Sequence, residues 1–136
     1  MLVVLDTNAL LSALRTDTSP PAIILDAWRA GRFRLVTSIE QIEEFRRATR
    51  YSRLRTVLPR SAVGRVVNQL RTADVLLRRL PRVGSSPDPG DEYVLAMAAA
   101  VDADYLVTGD RPLLALRRIA RTRIVSPRRF VAILAR

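Results

Sequence analysis

Residues 2–8 read LVVLDTN and residues 103–110 read ADYLVTGD, and these two stretches decide the fold. Each contains a short apolar segment with β-branched residues, followed at once by polar residues that include Asp6 or Asp110. Such segments are typical of buried strands in a parallel sheet. Because ligands bind at the carboxyl ends of the strands in an open α/β sheet, both aspartates are expected at a ligand-binding edge.

Strand and helix signals alternate along the rest of the chain, with proline or serine ahead of several helices. Strands that alternate with helices form a parallel sheet covered on both faces, so the pattern predicts an α/β fold in a single domain over residues 1–136. The predicted helices are Asn8–Leu14, Ala22–Ala30, Ile39–Arg50, Tyr51–Leu58, Ala62–Arg79, Asp91–Val101, Pro112–Ile119 and Pro127–Leu134. The predicted strands are Leu2–Leu5, Phe33–Val36, Pro81–Val83, Tyr105–Val107 and Ile124–Val125.

The residue inventory excludes several kinds of chemistry. The chain has no histidine and no cysteine, and all 23 basic residues are arginine. Ser-His-Asp and Cys-His catalysis, His/Cys zinc sites, Schiff bases and a Walker lysine are therefore excluded. What remains is carboxylate, hydroxyl, amide and guanidinium chemistry, together with a hard metal ion such as magnesium, manganese or calcium.

The net charge of +10 is unevenly distributed along the sequence. Residues 45–87 carry 11 arginines and a single acid, and residues 111–136 carry 8 arginines and no acid. Residues 88–110, in contrast, carry 6 acids and no arginine. Acids therefore gather near the strand-end motifs, within basic surroundings that suit a phosphodiester substrate. A merely solvated arginine-rich surface is the alternative explanation.

Each acidic residue near a strand end also has a structural explanation. Asp6 and Asp110 are placed to cap helices, and Asp91 would favour a helix macrodipole. Three carboxylates at one edge of a sheet would repel one another, however, so the joint pattern indicates a divalent cation between them. A fourth acid comes from the third predicted helix, where Glu43 and Glu44 flank the apolar stripe and helical periodicity does not choose between them.

Four segments, in order, resemble the motifs of PIN-domain ribonucleases. Residues 2–8 look like the opening motif, and residues 38–45 are similar to the second, in which a serine is followed six residues later by a glutamate and a hydrophobic residue. That pattern selects Glu44. Residues 88–91, DPGD, and residues 103–110 resemble the third and fourth motifs. The resemblance covers nearly the whole chain, and the VapC-type toxins of bacterial toxin–antitoxin pairs look like the closest group.

This resemblance implies a three-layer α/β/α PIN-like fold with a central parallel β-sheet. It also implies an Mg²⁺- or Mn²⁺-dependent endoribonuclease that hydrolyses RNA phosphodiester bonds. The implied catalytic metal ligands are Asp6, Glu44, Asp91 and Asp110, with Asn8, Thr108 and Asp88 as supporting residues. Asp88 would either add a carboxylate behind the ligands or only shape its proline-rich turn.

The resemblance further implies an RNA substrate, a cognate antitoxin and a homodimer. The segment Ala62–Leu80 supplies a physical motive for the dimer, since Leu76, Leu77 and Leu80 together with Val75 make a wide apolar end; simple burial is the alternative. No apolar run is long enough to span a membrane, and Asp6 interrupts the apolar start, so a cytoplasmic location is expected.

Two other functions fit parts of the pattern. A catalytically inactive PIN-fold RNA-binding or adaptor protein would keep the fold, although all four acids are present here. An aspartyl phosphatase or receiver-like domain also places an aspartate after its first strand. That class needs a lysine near the phosphoryl group, which this chain lacks, and its motif has a second aspartate where Asn8 stands.

Overall fold

A mostly parallel six-stranded sheet forms the centre of the computed structural model, which describes residues 1–51, 58–80 and 92–136. The strands are β1 (Leu2–Leu5), β2 (Arg34–Ser38), β3 (Val75–Leu77), β4 (Tyr105–Val107), β5 (Arg118–Ile119) and β6 (Thr122–Val125). Their order across the sheet is β3-β2-β1-β4-β6-β5, and only the β5–β6 pair is antiparallel. The chain builds outward from β1 on one side and then returns to its other side at β4. The β1–β4 boundary is therefore the topological switch point, where ligands bind in open α/β sheets.

Seven helices are described around this sheet. They are α1 (Thr7–Ala13), α2 (Pro20–Arg29), α3 (Ile39–Thr49), α4 (Arg60–Arg71), α5 (Glu92–Val101), α6 (Arg111–Leu116) and α7 (Pro127–Leu134). Side-chain oxygens cap several of them, as the sequence predicts for Ser38, whose hydroxyl accepts a hydrogen bond from the Gln41 amide at 3.1 Å. Among the described residues, no helix is long and apolar enough to cross a membrane.

Alternation along the strands separates two apolar cores, one on each face of the sheet. Val3 and Leu5 of β1 point to the core built with α1, α2, α3, α4 and α7. Val4, between them, points to the core built with α5 and α6, in which Leu95 and Met97 are fully buried. The predicted three-layer α/β/α architecture is confirmed.

The predicted helix Ala62–Arg79 is wrong in its second half. Helix α4 ends at Arg71, and Val75–Leu77 forms the edge strand β3, paired in parallel with β2. The Asp74 carboxylate accepts a hydrogen bond from the Leu35 amide at 3.0 Å, which fixes this strand beside β2. Short apolar runs fit both periodicities, and here pairing with the sheet decides. The apolar side chains of this segment, which were predicted to form an exposed end of the helix, are half-buried against the two cores.

The predicted helix Pro112–Ile119 also ends early. Helix α6 stops at Leu116, and after Arg117 the residues Arg118–Ile119 form β5, the first strand of the β5–β6 hairpin. The reversal places Arg117 at φ 60° and Ala120 at φ 50°, a conformation that glycine usually takes, so the sequence carries no turn signal. The predicted strand Pro81–Val83, and most of the predicted helix Tyr51–Leu58, lie outside the described residues.

Candidate metal site at the sheet switch point

The structure places Asp6 and Asp110 at the switch point between β1 and β4. Asp6 follows β1 directly, and its amide donates a hydrogen bond to the carbonyl of Val107, the last residue of β4, at 2.9 Å. Asp110 follows β4 by three residues and caps α6. Parallel pairing of β1 with β4 therefore brings two aspartates that are 104 positions apart in the sequence (Asp6 and Asp110) to one edge.

Thr108 connects these two aspartates. Its hydroxyl donates a hydrogen bond to Asp6 Oδ2 at 2.7 Å, and the same oxygen accepts one from the Asp110 amide at 3.0 Å. Thr108 is fully buried, so neither bond competes with water. The side chain thus orients the Asp6 carboxylate and positions the start of α6, and its role in support of a metal stays a prediction.

Asp6 lies in an environment that disfavours its own negative charge. Only 5% of the residue is exposed, and this burial raises the pKa of its carboxyl group. The hydrogen bond from Thr108 opposes the rise, whereas the nearby charge of Asp110 adds to it. A buried carboxylate with a second carboxylate close by favours a bound cation, and oxygen donors suit Mg²⁺ or Mn²⁺. Asp6 and Asp110 are therefore oxygen donors of the kind that such an ion binds, and two carboxylates alone do not complete its coordination.

Asp110 also has the structural role that its sequence position suggests. Its Oδ2 accepts a hydrogen bond from the Leu113 amide at 3.0 Å, so it caps α6. Asp6 stands at the corresponding position before α1 but makes no capping bond with its side chain. Capping therefore explains Asp110 in part, whereas the buried carboxylate of Asp6 is held by the Thr108 hydroxyl, and backbone hydrogen bonds from Asn8 and Thr7 also oppose the rise in its pKa.

The remaining predicted ligands are not all brought to this pair. Glu44 lies half-exposed on α3 and accepts a hydrogen bond from Arg47 Nη2 at 3.0 Å, while its neighbour Glu43 is exposed. Asn8 is exposed in the first turn of α1. In the part of the chain that the structure describes, no three acidic side chains lie close enough to hold a metal ion. The other two predicted residues, Asp88 and Asp91, lie outside the described residues.

A buried polar network next to Asp6 is absent from the sequence predictions. Gln41 is 1% exposed, and its Nε2 donates to the Leu5 carbonyl at 2.6 Å. Its Oε1 accepts from Thr37 Oγ1 at 2.6 Å, and its Nε2 also approaches Thr7 Oγ1 at 3.5 Å. Gln41 thus ties α3 to the residues on either side of Asp6.

The network continues to α5, because the Thr7 hydroxyl is hydrogen-bonded to the hydroxyl of Tyr93 on that helix. One sequence signal could have revealed it. Gln41 lies four residues before Phe45, on the buried face of α3, and a polar side chain placed there requires hydrogen-bond partners.

Comparison with known proteins agrees with this geometry. The family model of the PIN domain matches residues 2–112, a stretch that begins with β1 and extends just beyond Asp110. No curated protein and no solved structure matches the chain significantly. PIN domains are generally nucleases, and the matched stretch contains the aspartates that converge at the sheet edge. With most of its length matched and with the expected three-layer architecture, the chain belongs to the PIN domain family.

Proposed function

We propose that the chain is a metal-dependent endoribonuclease that hydrolyses RNA phosphodiester bonds. The observation that carries the proposal is the Asp6–Thr108–Asp110 arrangement at the topological switch point. Burying one carboxylate beside another costs stability unless a cation offsets their negative charge, which supports a metal-binding role for this pair. Family membership supports a nuclease function of this kind.

Asp6 and Asp110 would hold the ion, with Glu44 and Asp91 as further ligands, direct or through water, and with Asn8 and Asp88 in support. When bound, Mg²⁺ or Mn²⁺ supplies Lewis acidity toward the scissile phosphate. Since the sequence has no histidine, lysine or cysteine, a carboxylate is the side chain that accepts a proton in the reaction. Thr108 keeps the Asp6 carboxylate in one orientation throughout.

The substrate is proposed to be single-stranded RNA. Side chains read the deep groove of an RNA duplex poorly, whereas loops expose their phosphates and bases. Arg47 holds a guanidinium group beside Glu44, where it offsets the charge of that acid and remains available to a substrate phosphate. Because most of the attraction comes from arginine and phosphate charges, binding is expected to weaken as salt rises.

The toxin role is proposed from the resemblance to VapC-type toxins. It brings a cognate antitoxin, a homodimer and a cytoplasmic location as further proposals. The apolar segment that was expected to form the dimer interface is strand β3 in the structure, so the dimer proposal rests on the resemblance alone. Light scattering at tens of micromolar tests the dimer, and a strictly monomeric chain would contradict it.

Four substitutions test the nuclease proposal. Asp6→Asn, Glu44→Gln, Asp91→Asn and Asp110→Asn remove one charge each with little change in shape, and each is expected to reduce Mg²⁺- or Mn²⁺-dependent RNA cleavage at least about 100-fold. Glu43→Gln is the matched control and should stay near the parent rate. Parent-like cleavage by all four variants would show that the site is misplaced. RNA binding with no cleavage by the parent would instead support an inactive RNA-binding protein.

A further inference from the structure

A cleft of about 670 Å³ lies between the end of α3 and the length of α4. Four exposed arginines line it, with Arg46 and Arg50 at the end of α3 and Arg60 and Arg71 at the two ends of α4. None of the described residues along its walls is acidic. The cleft therefore concentrates positive charge and is suited to an anionic ligand.

None of these four guanidinium groups forms an ion pair with another described residue. Within residues 1–51, 58–80 and 92–136, the arginines that pair with a carboxylate are Arg29, with Asp26, and Arg47, with Glu44. An arginine without a carboxylate partner keeps its planar set of donors available for bidentate contact with a phosphate. The cleft thus offers several such donors at once.

Gly64 leaves open space at the wall of the cleft. It lies in the middle of α4 and borders the cleft, although glycine is the least favourable helix residue after proline. A Cβ atom added there would meet nothing within 4 Å, so close packing inside the protein does not require glycine. The missing side chain therefore keeps the middle of the cleft open, and a larger residue at this position would fill part of it.

The groove continues across α4 beyond the cleft. A second depression shares Gly64 and Asn68 with it and adds polar side chains, among them Ser61 and Gln69. Arg60 and Arg71 are eleven positions apart, which is about 16 Å along a helix at ~1.5 Å per residue. The basic surface is therefore long enough for several consecutive phosphates rather than a single ion.

We infer that the α3–α4 cleft is an RNA-binding subsite that holds the phosphates of single-stranded RNA away from the scissile bond. The inference rests on the proposed nuclease function for its choice of RNA. An acidic peptide is the alternative occupant of the same basic cleft, and polyglutamate tests it. The described lining also has no aromatic ring on which bases would stack, so the subsite does not select sequence.

The test measures RNA binding without cleavage. Both proteins carry Asp6→Asn, so that the RNA is expected to stay intact. The affinity for fluorescent oligouridylate is measured over a range of salt concentrations, once for a variant that also carries Arg60→Gln and Arg71→Gln and once for a protein that retains both arginines. We expect a loss of affinity of about tenfold or more at low salt, and a salt slope that is smaller by about 1.4, since each lost phosphate contact on a single strand contributes ~0.7. Arg34→Gln/Arg128→Gln removes the same charge from exposed positions outside the cleft and should retain most of the affinity.

Gly64→Leu separates a ligand-binding role from a structural one. Leucine favours the helix and meets no internal atom at its Cβ, so the melting temperature should rise. Its side chain would nevertheless fill part of the cleft, so RNA affinity should fall. A variant that is more stable and binds RNA as the parent does would overturn the proposal.

Other occupants give different results. If the arginine pair leaves RNA binding unchanged but alters the oligomeric state, the cleft holds a second copy of the chain and the inference is wrong. It is also wrong if polyglutamate, and not oligouridylate, depends on Arg60 and Arg71. In a protein that retains Asp6, the two substitutions Arg60→Gln and Arg71→Gln should raise KM and leave kcat unchanged, because the arginine–phosphate contacts are equally strong in the ground state and the transition state. A parent that binds RNA through the cleft but does not cleave it refutes the proposed function and leaves the subsite in place.

Discussion

Replacing Thr108 with valine should weaken the metal site more than it weakens the fold. Valine keeps the shape of threonine but removes the hydroxyl that donates to Asp6 and accepts from the Asp110 amide. A hydrogen bond to a charged group contributes about 1.5–3 kcal/mol, and an unsatisfied partly buried amide costs about 1 kcal/mol, so the free energy of unfolding should fall by about 2–4 kcal/mol at neutral pH. Loss of a bond that orients a metal ligand should also weaken Mn²⁺ binding by about 10–100-fold.

Thr122→Val is a matched control for this prediction. Thr122 is also buried, and its hydroxyl donates to the Ala103 carbonyl at 2.6 Å, in a part of the sheet that carries none of the proposed ligands. It should cost about 1–3 kcal/mol and leave Mn²⁺ affinity near that of the parent. Urea unfolding gives the stabilities, and calorimetric titration with Mn²⁺ gives the affinities. If Thr108→Val binds Mn²⁺ as tightly as Thr122→Val does, the assignment of Thr108 is refuted.

Three further predictions concern stability. The raised pKa of Asp6 means that the folded state resists its ionisation, so without metal the free energy of unfolding should fall as pH rises from the ordinary aspartate pKa through the folded one. Asp6→Asn should remove that fall, raise the metal-free melting temperature at neutral pH and abolish stabilisation by Mn²⁺, which is about 2.7 kcal/mol at a hundredfold excess over Kd in the parent; identical pH profiles would contradict this. Gln41→Met should cost about 2–4 kcal/mol in urea unfolding, whereas Gln69→Met, which removes only an exposed hydrogen bond from Arg29, should cost under about 1 kcal/mol; equal losses would show that the buried network contributes nothing. Gly64→Ala should stabilise α4 by about 0.8–1 kcal/mol, and a loss of stability would contradict the open space around it.

The architecture could be predicted because its signals are local. Short β-branched runs ahead of Asp6 and Asp110 indicate buried parallel strands, and Ser38 marks the start of α3 through a capping bond that the structure contains. Joining the two aspartates at one edge then needs only the general rule that parallel strands share a carboxyl edge.

The incorrect secondary-structure predictions fall where strand pairing, rather than hydrophobic periodicity, determines the structure. Val75–Leu77 fits a helical apolar stripe, yet it becomes a strand because β2 offers an unpaired edge beside it. The turn around Ala120 has a positive φ without any glycine to indicate it. The partners of Gln41 come from β1, β2 and α1, so nothing in its immediate sequence names them.

The same distinction limits the site. Asp6 follows β1, and Thr108 and Asp110 follow the adjacent strand β4, so their proximity follows from the strand order. The position of Glu44 depends on the direction in which helix α3 runs, and helical periodicity does not distinguish Glu44 from Glu43 as the residue that faces the site. In the structure Glu44 is less exposed than Glu43 and is paired with Arg47, but it does not join the aspartates, and the choice of Glu44 stays a prediction.

Cleavage of one labelled single-stranded RNA by the purified chain tests the central claim most directly. We expect internal cuts in Mg²⁺ or Mn²⁺, none in EDTA, recovery when metal is added back, and loss of all cuts in Asp6→Asn under the same conditions. Cleavage that persists in EDTA, or that Asp6→Asn performs at the parent rate with metal present, would contradict a metal-dependent nuclease site at the β1–β4 edge.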